Sequence, residues 1–359
     1  METQTNTGGP LPSEDRERYS RQMLFAPIGR EGQARLLAGK AALIGCGGLG
    51  SVLAETLARA GVGRLLVVDR DCVEMSNLQR QILFDERDVA EGLPKAEAAG
   101  RKLRAVNSRI HVETVVADVN PGNVERFVAG ADVVLDGLDN FETRFLLNDA
   151  CVKQGVPWVY GACVAGHGTT MTVLPGRTPC LRCVFESAPP PGSAPTCDTA
   201  GVIAPVVQMI AALQAAEALK ILVGRMEDVS QTLRSVDVWR NRMRELDLSR
   251  FRTGRTCPAC DLRRFDYLES RKDSETTLAT AICGRGAMQV TPGGGRKGLD
   301  LGALGARLAP LGKVTANRFL LKFESSEICL TVFPDGRAIL QGVDDPVRAR
   351  SLYAKYIGI

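Results

Sequence analysis

The sequence predicts an α/β protein with a Rossmann-like, mostly parallel sheet and helices on both faces, followed by a small C-terminal α+β module. Two observations support this prediction. Short apolar runs alternate with longer segments of helical spacing through about residue 223, and a glycine- and arginine-rich composition begins at about residue 270. We therefore predict a disordered lead-in at 1–15, one large domain at 16–268 and a small domain at 269–359.

The first three predicted elements form a βαβ unit. The run KAALIG at 40–45 ends at glycine and is typical of a buried parallel strand. A segment of helical spacing follows and ends at Gly61, and RLLVVD at 64–69 is a second strand that closes on Asp69. Between the first strand and the helix, three glycines fit the G-x-G-x-x-G pattern of nucleotide-binding turns: Gly45, Gly47 and Gly50.

The alternation of strands and helices continues along the chain. The predicted elements are a helix at 95–107, strands at 110–118 and 131–139, a helix at 141–155, strands at 157–164 and 169–175, and a helix at about 203–223. The stretch ESAPPPGSAPTCDTAG at 186–201 has three consecutive prolines, which predict an exposed, mobile crossing loop. The predicted C-terminal elements are a strand at 287–291, a helix at 299–311, strands at 314–324 and 327–341, and a helix at 344–357.

Composition argues against several classes of protein. The formal net charge of +4 is small for 359 residues and does not indicate a nucleic-acid-binding surface. No uninterrupted apolar run reaches the roughly 18 residues that a membrane helix needs, and residues 1–18 lack the apolar core of a signal peptide. We therefore expect a cytoplasmic protein, in which close pairs among the 11 cysteines more often bind metal or do chemistry than form disulfides.

Polar residues just past the second strand indicate which nucleotide chemistry the glycine loop serves. The segment DRDCVEMSNLQRQILF at 69–84 contains Asn77, Arg80 and Gln81. Arg80 offers a planar cation that can reach a triphosphate, and Lys95 adds a second cation at a predicted helix start. A hydride-transferring enzyme needs little at this place except contacts to adenosine, so these cations favour chemistry on a phosphate.

Two carboxylates end a later strand. Asp136 and Asp139 follow the apolar run VVL, at the carboxyl edge where open α/β sheets bind ligands. Carboxylates that face a polyphosphate normally imply a bridging Mg²⁺. Loop amides, cations and a metal-holding carboxylate together predict attack on a phosphate group.

Other interpretations of these residues remain open at the level of sequence. The glycines by themselves fit an NAD-dependent dehydrogenase, and Asp69 can simply cap its strand. Asp136 can be a helix N-cap as readily as a metal ligand. Asn140 and Arg144 can lock the turn by hydrogen bonds.

Seven motifs occur in an order that resembles the MoeB/ThiF family, which is similar to ubiquitin-activating enzymes. They are RYSRQ (18–22), GCGGLGS (45–51), DRDCVEMSNLQRQ (69–81), DNFETR (139–144), CLRC (180–183), TCDTAGV (196–202) and CPAC (257–260). The resemblance covers about residues 14–262. It implies ATP-dependent adenylation of the C-terminal glycine of a small ubiquitin-like sulfur-carrier protein that ends in Gly-Gly, in molybdenum cofactor or thiamine biosynthesis.

The resemblance also implies site residues. Asp69 would bind the ribose hydroxyls, Asp139 would hold Mg²⁺, and Arg21 would enter the site of a partner subunit, which implies a homodimer. The implied catalytic residues are Arg21, Arg80, Lys95, Asp139 and Cys197. The implied nucleotide-binding residues are Gly45, Gly47, Gly48, Asp69, Asp71, Ser76, Asn77, Leu78, Gln79, Arg80, Lys95, Asp139 and Asn140.

Two C-x-x-C pairs predict a zinc site. Each spacing suits one tetrahedral Zn²⁺, although the gap between the pairs is long for a zinc finger. The resemblance makes that gap ordinary and implies a structural Zn²⁺ on Cys180, Cys183, Cys257 and Cys260. A redox role for either pair is the alternative.

Cys197 lies in the predicted crossing loop just before a helix, where a helix dipole would lower the pKa of a thiol. Relatives use a cysteine here to link covalently to the carrier, and a cysteine desulfurase is an expected sulfur donor. The alternative enzyme passes a ubiquitin-like protein through Cys197 as a thioester to a conjugation partner. A non-enzymatic nucleotide-binding scaffold would leave the cations and Asp139 idle. The C-terminal module lacks a cysteine followed by a basic, glycine-rich loop, which argues against a rhodanese domain.

Overall fold

The computed structural model describes residues 11–187, 197–249, 251, 256–269, 278–282, 286–292 and 298–358. Residues 1–10 of the predicted lead-in and 188–196 of the predicted crossing loop lie outside the described residues. The chain divides into two compact units. The first unit comprises Met1–Pro190 and Val202–Ser270, and the second comprises Pro191–Gly201 and Arg271–Ile359.

Helices and strands alternate through most of the chain. The helices are α1 Ser13–Arg18, α2 Ser20–Met23, α3 Gly29–Ala38, α4 Gly48–Ala60, α5 Glu86–Ala90, α6 Lys95–Val106, α7 Val124–Val128, α8 Phe141–Gln154, α9 Leu181–Val184, α10 Cys197–Ala200, α11 Ala204–Val223, α12 Asp266–Glu269, α13 Leu301–Leu308 and α14 Pro346–Tyr356. The strands are β1 Lys40–Ile44, β2 Arg64–Asp69, β3 His111–Val116, β4 Val133–Asp136, β5 Trp158–Val164, β6 His167–Val173, β7 Thr232–Asp237, β8 Arg242–Asp247, β9 Leu278–Ile282, β10 Ala287–Thr291, β11 Lys313–Ala316, β12 Leu321–Glu324, β13 Cys329–Val332 and β14 Ala338–Gln341.

The first unit is built on an eight-stranded sheet in the order β3-β2-β1-β4-β5-β6-β7-β8. Strands β3 through β5 pair in parallel, and β6, β7 and β8 extend the sheet with antiparallel pairings. The chain runs outward from β1 in one direction to β2 and β3 and then returns to β4 on the other side of β1. This reversal of strand order opens a crevice at the carboxyl ends of β1 and β4, where doubly wound sheets bind ligands.

Both faces of the parallel strands are covered, as the near-continuous apolar runs predict. Ala42 and Ile44 of β1 belong to a core cluster that includes Phe145 of α8. Leu43 lies between them and points to the opposite face, where its side chain approaches Gly50 of α4. The predicted fold class, a mostly parallel sheet with helices on both faces, is confirmed.

Helix α11 is apolar because it is a core helix. Its length and composition alone would allow it to cross a membrane, but 61% of its most apolar 18-residue window is buried inside the protein. It packs against α3, α4, β5 and β6. Gly224 ends the helix in a left-handed conformation, with a φ of 83°.

The turn from β4 to α8 is held by a buried ion pair. Asp136 Oδ2 lies 3.1 Å from Arg144 Nε, and both side chains are buried. Asp136 Oδ1 accepts a hydrogen bond from the backbone N–H of Leu138 at 2.9 Å, and Arg144 Nη2 donates to the carbonyl of Leu138 at 2.6 Å. The pair therefore fixes both backbone groups of the residue just before Asp139. Asp136 is not the N-cap of α8, because Asn140 occupies that position, and its side chain is too buried to reach a metal ion in the crevice. Its role in the structure is to pair with Arg144, which differs from both sequence-based interpretations.

The second unit contains an antiparallel sheet in the order β11-β12-β13-β14-β10-β9. Helices α13 and α14 pack on this sheet, and Leu304 and Tyr353 are among their core residues. Asp300 and Asp345 cap the two helices, because each carboxylate accepts hydrogen bonds from two backbone N–H groups of the first turn. The predicted small C-terminal α+β module is present.

Two predicted elements differ from the structure. Helix α1 begins at Ser13, inside the predicted lead-in, because Asp15 is buried and lies 3.2 Å from the Arg109 side chain. The predicted strand at 314–324 is a hairpin of β11 and β12. Asn317 makes the turn, since its side-chain oxygen accepts the backbone N–H groups of Phe319 and Leu320.

We expect the Asp136→Asn variant to change how stability depends on pH. Burial raises the pKa of Asp136 to about 6, although Arg144 opposes the shift. A carboxyl group whose pKa is higher in the folded than in the unfolded chain favours folding at low pH and loses that contribution as pH rises through the folded pKa. Between pH 4 and about 6, the free energy of unfolding of wild type should fall relative to that of Asp136→Asn, by at most about 3 kcal/mol.

Urea unfolding from pH 4 to pH 8, followed by the fluorescence of the buried Trp158, measures this difference. Asp228→Asn, an exposed aspartate on the same unit, is the matched control. Parallel curves for wild type and Asp136→Asn would contradict the prediction.

Candidate active site

Close packing of glycines forms the floor of the crevice. Gly45 has a φ of 90°, and a Cβ atom there would lie 2.5 Å from the carbonyl oxygen of Gly137, in the β4–α8 turn. A Cβ on Gly50 would lie 2.1 Å from the carbonyl oxygen of Gly45. The first and third glycines of the motif are therefore required by contact between backbones. Gly47 and Gly48, between them, are only partly buried.

The loop leads directly into a helix that can bind an anion. Gly47 is the N-cap residue of α4 and offers no side chain to cap it. The first N–H groups of a helix have no partner within the helix, and the positive end of the helix dipole lies there. This 13-residue helix therefore presents donors and positive potential to the crevice, as in other nucleotide-binding turns.

Asp69 holds the glycine loop in place. One carboxylate oxygen accepts the backbone N–H of Cys46 at 2.6 Å, and the other accepts the backbone N–H of Asp71 at 2.7 Å. The side chain is almost completely buried, and this burial raises its pKa, while the charge of Lys95 opposes the rise. Asp69 is therefore not only the last residue of β2, because its side chain also binds the backbone of the glycine loop. Each oxygen still has a lone pair for a ligand hydroxyl.

Lys95 is a buried cation at the same edge. Its side chain is 5% exposed, and Nζ lies 3.0 Å from Asp71 Oδ2. Burial alone lowers the pKa of Lys95, but the nearby carboxylates Asp71, Asp69 and Asp139 raise it above its ordinary value. Lys95 therefore stays protonated throughout the physiological range and carries a fixed positive charge.

Arg70 is a second cation at this edge that sequence reasoning missed. Its Nη1 lies 2.9 Å from Asp118 Oδ1, just after β3, and its Nε lies 3.7 Å from Asp71 Oδ1. Burial lowers its pKa, whereas Asp118, Asp71 and Asp139 raise it. The position of Arg70 directly after a strand that ends in an acid was the available sequence signal.

Arg80 lies beside the start of α4. A Cβ atom on Gly48 would lie 4.0 Å from Arg80 Cδ, and Arg80 Nη1 donates to the carbonyl of Ser76 at 2.9 Å. Ser76 is exposed on the same turn. Arg80 and the loop amides are therefore on one side of the crevice.

The rest of the 76–80 turn is held by its own contacts. Asn77 is 1% exposed, and its side-chain oxygen accepts the backbone N–H of Glu74 at 3.1 Å, which closes a capping box. Gln79 Nε2 donates to the carbonyl of Val202 at 3.3 Å, and Leu78 is half-buried. The side chains of Asn77 and Gln79 therefore stabilise the turn itself, because both are hydrogen-bonded to backbone groups of the protein.

Asp139 is exposed at the mouth of the β4–α8 turn. Its neighbour Asn140 is the N-cap of α8, because Asn140 Oδ1 accepts the backbone N–H of Thr143 at 2.9 Å. Asn140 Nδ2 also donates to Asp139 Oδ1 at 3.2 Å. Asn140 thus locks the turn, as one sequence-based alternative stated, and it orients Asp139.

Arg21 lies far from the glycine loop of its own chain. It is exposed on α2, and among the described residues none forms an ion pair with it. Its neighbours anchor α2 at the other end of α4: Gln22 Nε2 donates to the carbonyl of Ala60, and Tyr19 packs against Gly61. The 12 residue steps from Gly48 to Ala60 correspond to about 18 Å of helix, which exceeds the reach of an arginine side chain.

Four cysteines form a cluster that can hold a metal ion. The sulfur atoms of Cys180, Cys183, Cys257 and Cys260 all lie within 4.8 Å of one another. Three of these distances are 3.7 Å for Cys180–Cys257, 3.9 Å for Cys183–Cys180 and 3.8 Å for Cys183–Cys260. Tetrahedral Zn²⁺ with bonds of about 2.3 Å requires sulfur atoms about 3.8 Å apart. The donor set and its spacing therefore fit zinc.

Cys197 is the first residue of α10, which has only four residues, and it is half-buried. The sequence predicts a loop at this position, just before a helix. The long helix α11 begins seven residues later, at Ala204.

Comparisons with known proteins agree with this geometry. A model of the ThiF family matches residues 19–259. The sulfur carrier protein ThiS adenylyltransferase of Bacillus subtilis is 44% identical over 342 residues, which cover 95% of this chain and 99% of that protein. The SAMP-activating enzyme E1 of Haloferax volcanii is 42% identical over 260 residues, covering 71% and 94%.

A solved structure has a similar fold over most of this chain's length. The crystal structure of E. coli MccB is 27% identical, with a TM-score of 0.61, and the match covers 72% of this chain and 75% of that one. The resemblance inferred from the seven motifs is thus confirmed. With a family match across 19–259 and a relative 44% identical along nearly its whole length, the chain belongs to the ThiF family.

Proposed function

We propose that this protein uses ATP to adenylate the C-terminal glycine of a small, ubiquitin-like sulfur-carrier protein of the ThiS type, with release of pyrophosphate. The observation that carries this proposal is the crevice itself, where an open helix N-terminus meets the protonated Lys95, Arg80 and the exposed Asp139. The B. subtilis relative, whose name gives this activity on ThiS, matches 95% of the chain. That match favours thiamine biosynthesis over the molybdenum cofactor pathway.

The residues present fit a nucleoside triphosphate. Gly47 and Gly48 are only partly buried and carry no side chain, so phosphate oxygens can approach the amides of α4. Lys95 supplies a fixed positive charge, and Arg80 offers a planar donor group beside the same amides. Asp69 keeps lone pairs free for ribose hydroxyls at the end of β2, the position that acids occupy in such βαβ units.

The reaction brings two anions together. A carboxylate oxygen of the carrier attacks the α-phosphorus of ATP and forms a new O–P bond. The bond between that phosphorus and the oxygen bridging to the β-phosphate breaks, and pyrophosphate leaves with the electron pair. The products are the carrier acyl-adenylate and pyrophosphate, so no nucleophile from the protein is needed.

The chain contributes charge and position to this step. Lys95 and Arg80 offset the charge of the phosphates, and the α4 amides orient them. Asp139, held by Asn140 and by the Asp136–Arg144 pair, would bind Mg²⁺, which neutralises phosphate charge when bound.

We also propose a homodimer, which the position of Arg21 supports. Since Arg21 is about 18 Å along α4 from its own glycine loop, a catalytic role requires a second copy of the chain. We propose that Arg21 of one subunit neutralises phosphate charge in the site of the other, and that the protein acts in the cytoplasm.

A second candidate function concerns the step after adenylation. The H. volcanii relative is named an activating enzyme E1, and Cys197 supplies a thiol in the second unit. In this function, Cys197 attacks the acyl-adenylate carbonyl, a thioester forms and AMP leaves. In the first function, Cys197 instead assists sulfur transfer from a donor such as a cysteine desulfurase.

We expect ATP–pyrophosphate exchange that depends on Mg²⁺ and on a carrier ending in Gly-Gly. Arg80→Ala and Asp139→Ala should each lower the exchange rate by about 10²-fold or more, because each removes charge stabilisation at the phosphates. The matched controls are Arg87→Ala and Glu86→Ala, exposed residues of α5, which should exchange like wild type. Hydride transfer to NAD without exchange would overturn the proposed function.

The Cys197→Ala variant separates the two candidate functions by whether wild type alone forms a covalent adduct with the carrier. Exchange needs no thiol, so this variant should retain it. A hydroxylamine-sensitive carrier adduct in wild type, absent from Cys197→Ala by mass spectrometry, supports the thioester function. If the adduct is absent from both wild type and Cys197→Ala, the first function, adenylation for sulfur transfer, is supported.

We expect one zinc ion per chain in protein purified without chelator, bound by the four-cysteine cluster. Cys257→Ser should lose the metal and lower the unfolding temperature, because a structural metal stabilises the fold. The matched control is Cys329→Ser, which changes a half-buried cysteine of the second unit. This variant should keep the zinc content and the unfolding temperature of wild type. Metal analysis by plasma mass spectrometry and thermal unfolding measure these outcomes, and full zinc content in Cys257→Ser would refute the assignment.

Arg21 should act in trans. Homodimers of Arg21→Ala and of Asp139→Ala should each be nearly inactive, whereas a mixed dimer contains one site with both changes and one site with neither. Exchange activity should therefore return when the two variants are co-expressed. If mass spectrometry shows mixed dimers and activity stays absent, Arg21 has no role in the partner's site.

A further inference from the structure

Asn148 is a buried amide that joins helix α8 to the four-cysteine cluster. Its side chain is completely buried, one helical turn after Arg144. Its Oδ1 accepts the backbone N–H of Leu181, inside the CLRC motif, at 2.9 Å. Its Nδ2 lies 3.7 Å from Cys180 Sγ, in position to donate a hydrogen bond to that sulfur. The helix that begins at the Asp139 turn therefore also contacts the first cysteine pair.

The contact with Leu181 determines which way the amide of Asn148 points. A backbone N–H can only donate, so the amide oxygen must face Leu181 and the NH2 group must face away from it. That group carries two N–H bonds, and it lies 3.4 Å from Asp149 Oδ1 as well as 3.7 Å from Cys180 Sγ. Two N–H bonds are enough for both acceptors. The donor beside the sulfur is thus held in place by the fold itself.

A metal site with four thiolates needs donors of this kind. Four thiolates carry more negative charge than one Zn²⁺ neutralises, and Cys180 is completely buried, so water cannot solvate its share of the excess. Within the CPAC motif, the backbone N–H of Cys260 donates to Cys257 Sγ at 3.5 Å. Asn148 provides a donor to the other cysteine pair, from a different helix. Groups that hydrogen-bond to metal ligands orient those ligands and adjust the affinity for the metal.

We infer that Asn148 is a positioning residue of the metal site: its Nδ2 donates to the Cys180 thiolate and strengthens metal binding by the cluster. This inference rests on the zinc site of the proposed function. Because the same amide accepts the Leu181 N–H, it holds the CLRC backbone and the Cys180 sulfur in a fixed relation to α8.

Asn148→Asp tests the inference because it keeps an oxygen for the Leu181 N–H and removes the N–H that faces Cys180. The Kd for zinc, measured at pH 8 by competition between the holoprotein and a chelator of known affinity, should rise about tenfold. Asn148→Leu should raise the Kd by a similar factor without adding charge beside Asp149.

The matched control is Asn107→Asp. Asn107 is another completely buried asparagine of the first unit, and its Nδ2 donates to Tyr19 Oη and to the carbonyl of Ala58. This variant should bind zinc like wild type. A zinc Kd in both Asn148 variants that equals the Kd of Asn107→Asp would overturn the inference and leave Asn148 with a role in stability alone.

Cobalt substitution gives a readout that a purely structural role would not change. With Co²⁺ in place of zinc, the sulfur-to-cobalt charge-transfer band of Asn148→Asp should move to longer wavelength, because a thiolate that has lost a hydrogen bond gives up electron density more readily. The band of Asn107→Asp should match that of wild type. An unshifted band in Asn148→Asp would overturn the inference.

Wild type provides a test that does not depend on the folding of any variant. In ¹⁵N-labelled protein loaded with ¹¹³Cd, an N–H···S hydrogen bond transmits scalar coupling from the metal to the proton. Coupling should appear at a side-chain amide proton of Asn148, with the backbone proton of Cys260 as the internal positive control. Coupling at Cys260 without coupling at Asn148 would overturn the inference alone. Absence of zinc from purified wild type would instead remove the zinc site and the inference together.

Discussion

The structure depends on the close approach of two turns. Gly45 and Gly50, in the β1–α4 turn, meet Gly137, in the β4–α8 turn, and a Cβ atom on any of the three would lie 2.1 to 2.5 Å from backbone atoms. Backbone cannot move aside as a side-chain tip can, so a larger residue would separate the turns. One turn leads into the first amides of α4, and the other carries Asp139. Contact between glycines therefore sets the distance between the two halves of the site.

Charge is arranged in advance around this floor. Lys95 and Arg70 are cations surrounded by Asp69, Asp71 and Asp118, and the carboxylates keep both cations protonated despite burial. Buried ion pairs are costly in desolvation and contribute little net stability. In the proposed function, both cations are held in place before a nucleotide binds, so little reorganisation is needed when phosphate charge shifts during the reaction. The Asp136–Arg144 pair likewise fixes the turn before Asp139, because it binds both backbone groups of Leu138.

Longer-range features tie the unit together. The four-cysteine cluster joins CLRC, in the middle of the first unit, to CPAC, near its end, and so closes a loop of 77 residues between Cys180 and Cys257. Closure of a long loop is entropically unfavourable, and a bound metal ion would offset that loss. At the opposite end of α4, the exposed Arg21 is too distant for its own site. In the proposed function, a complete site involves two copies of the chain, whereas the sheet, the loop and the cluster belong to one.

The sequence by itself determined the elements that short-range rules govern. Apolar runs ending at glycine or acid gave β1, β2 and β4, helical spacing gave α4, α8 and α11, and C-x-x-C spacing gave the cysteine pairs, because each pattern reflects neighbours along the chain. The ordered motifs gave the family. Only the tertiary structure decided which side chains meet. The caps of Asn77 and Asn140 are local, since each joins residues three positions apart. The ion pairs of Arg70 with Asp118 and of Lys95 with Asp71 instead depend on which strand ends and turns become adjacent. Spacing along the chain does not encode those contacts, since they arise when distant segments pack.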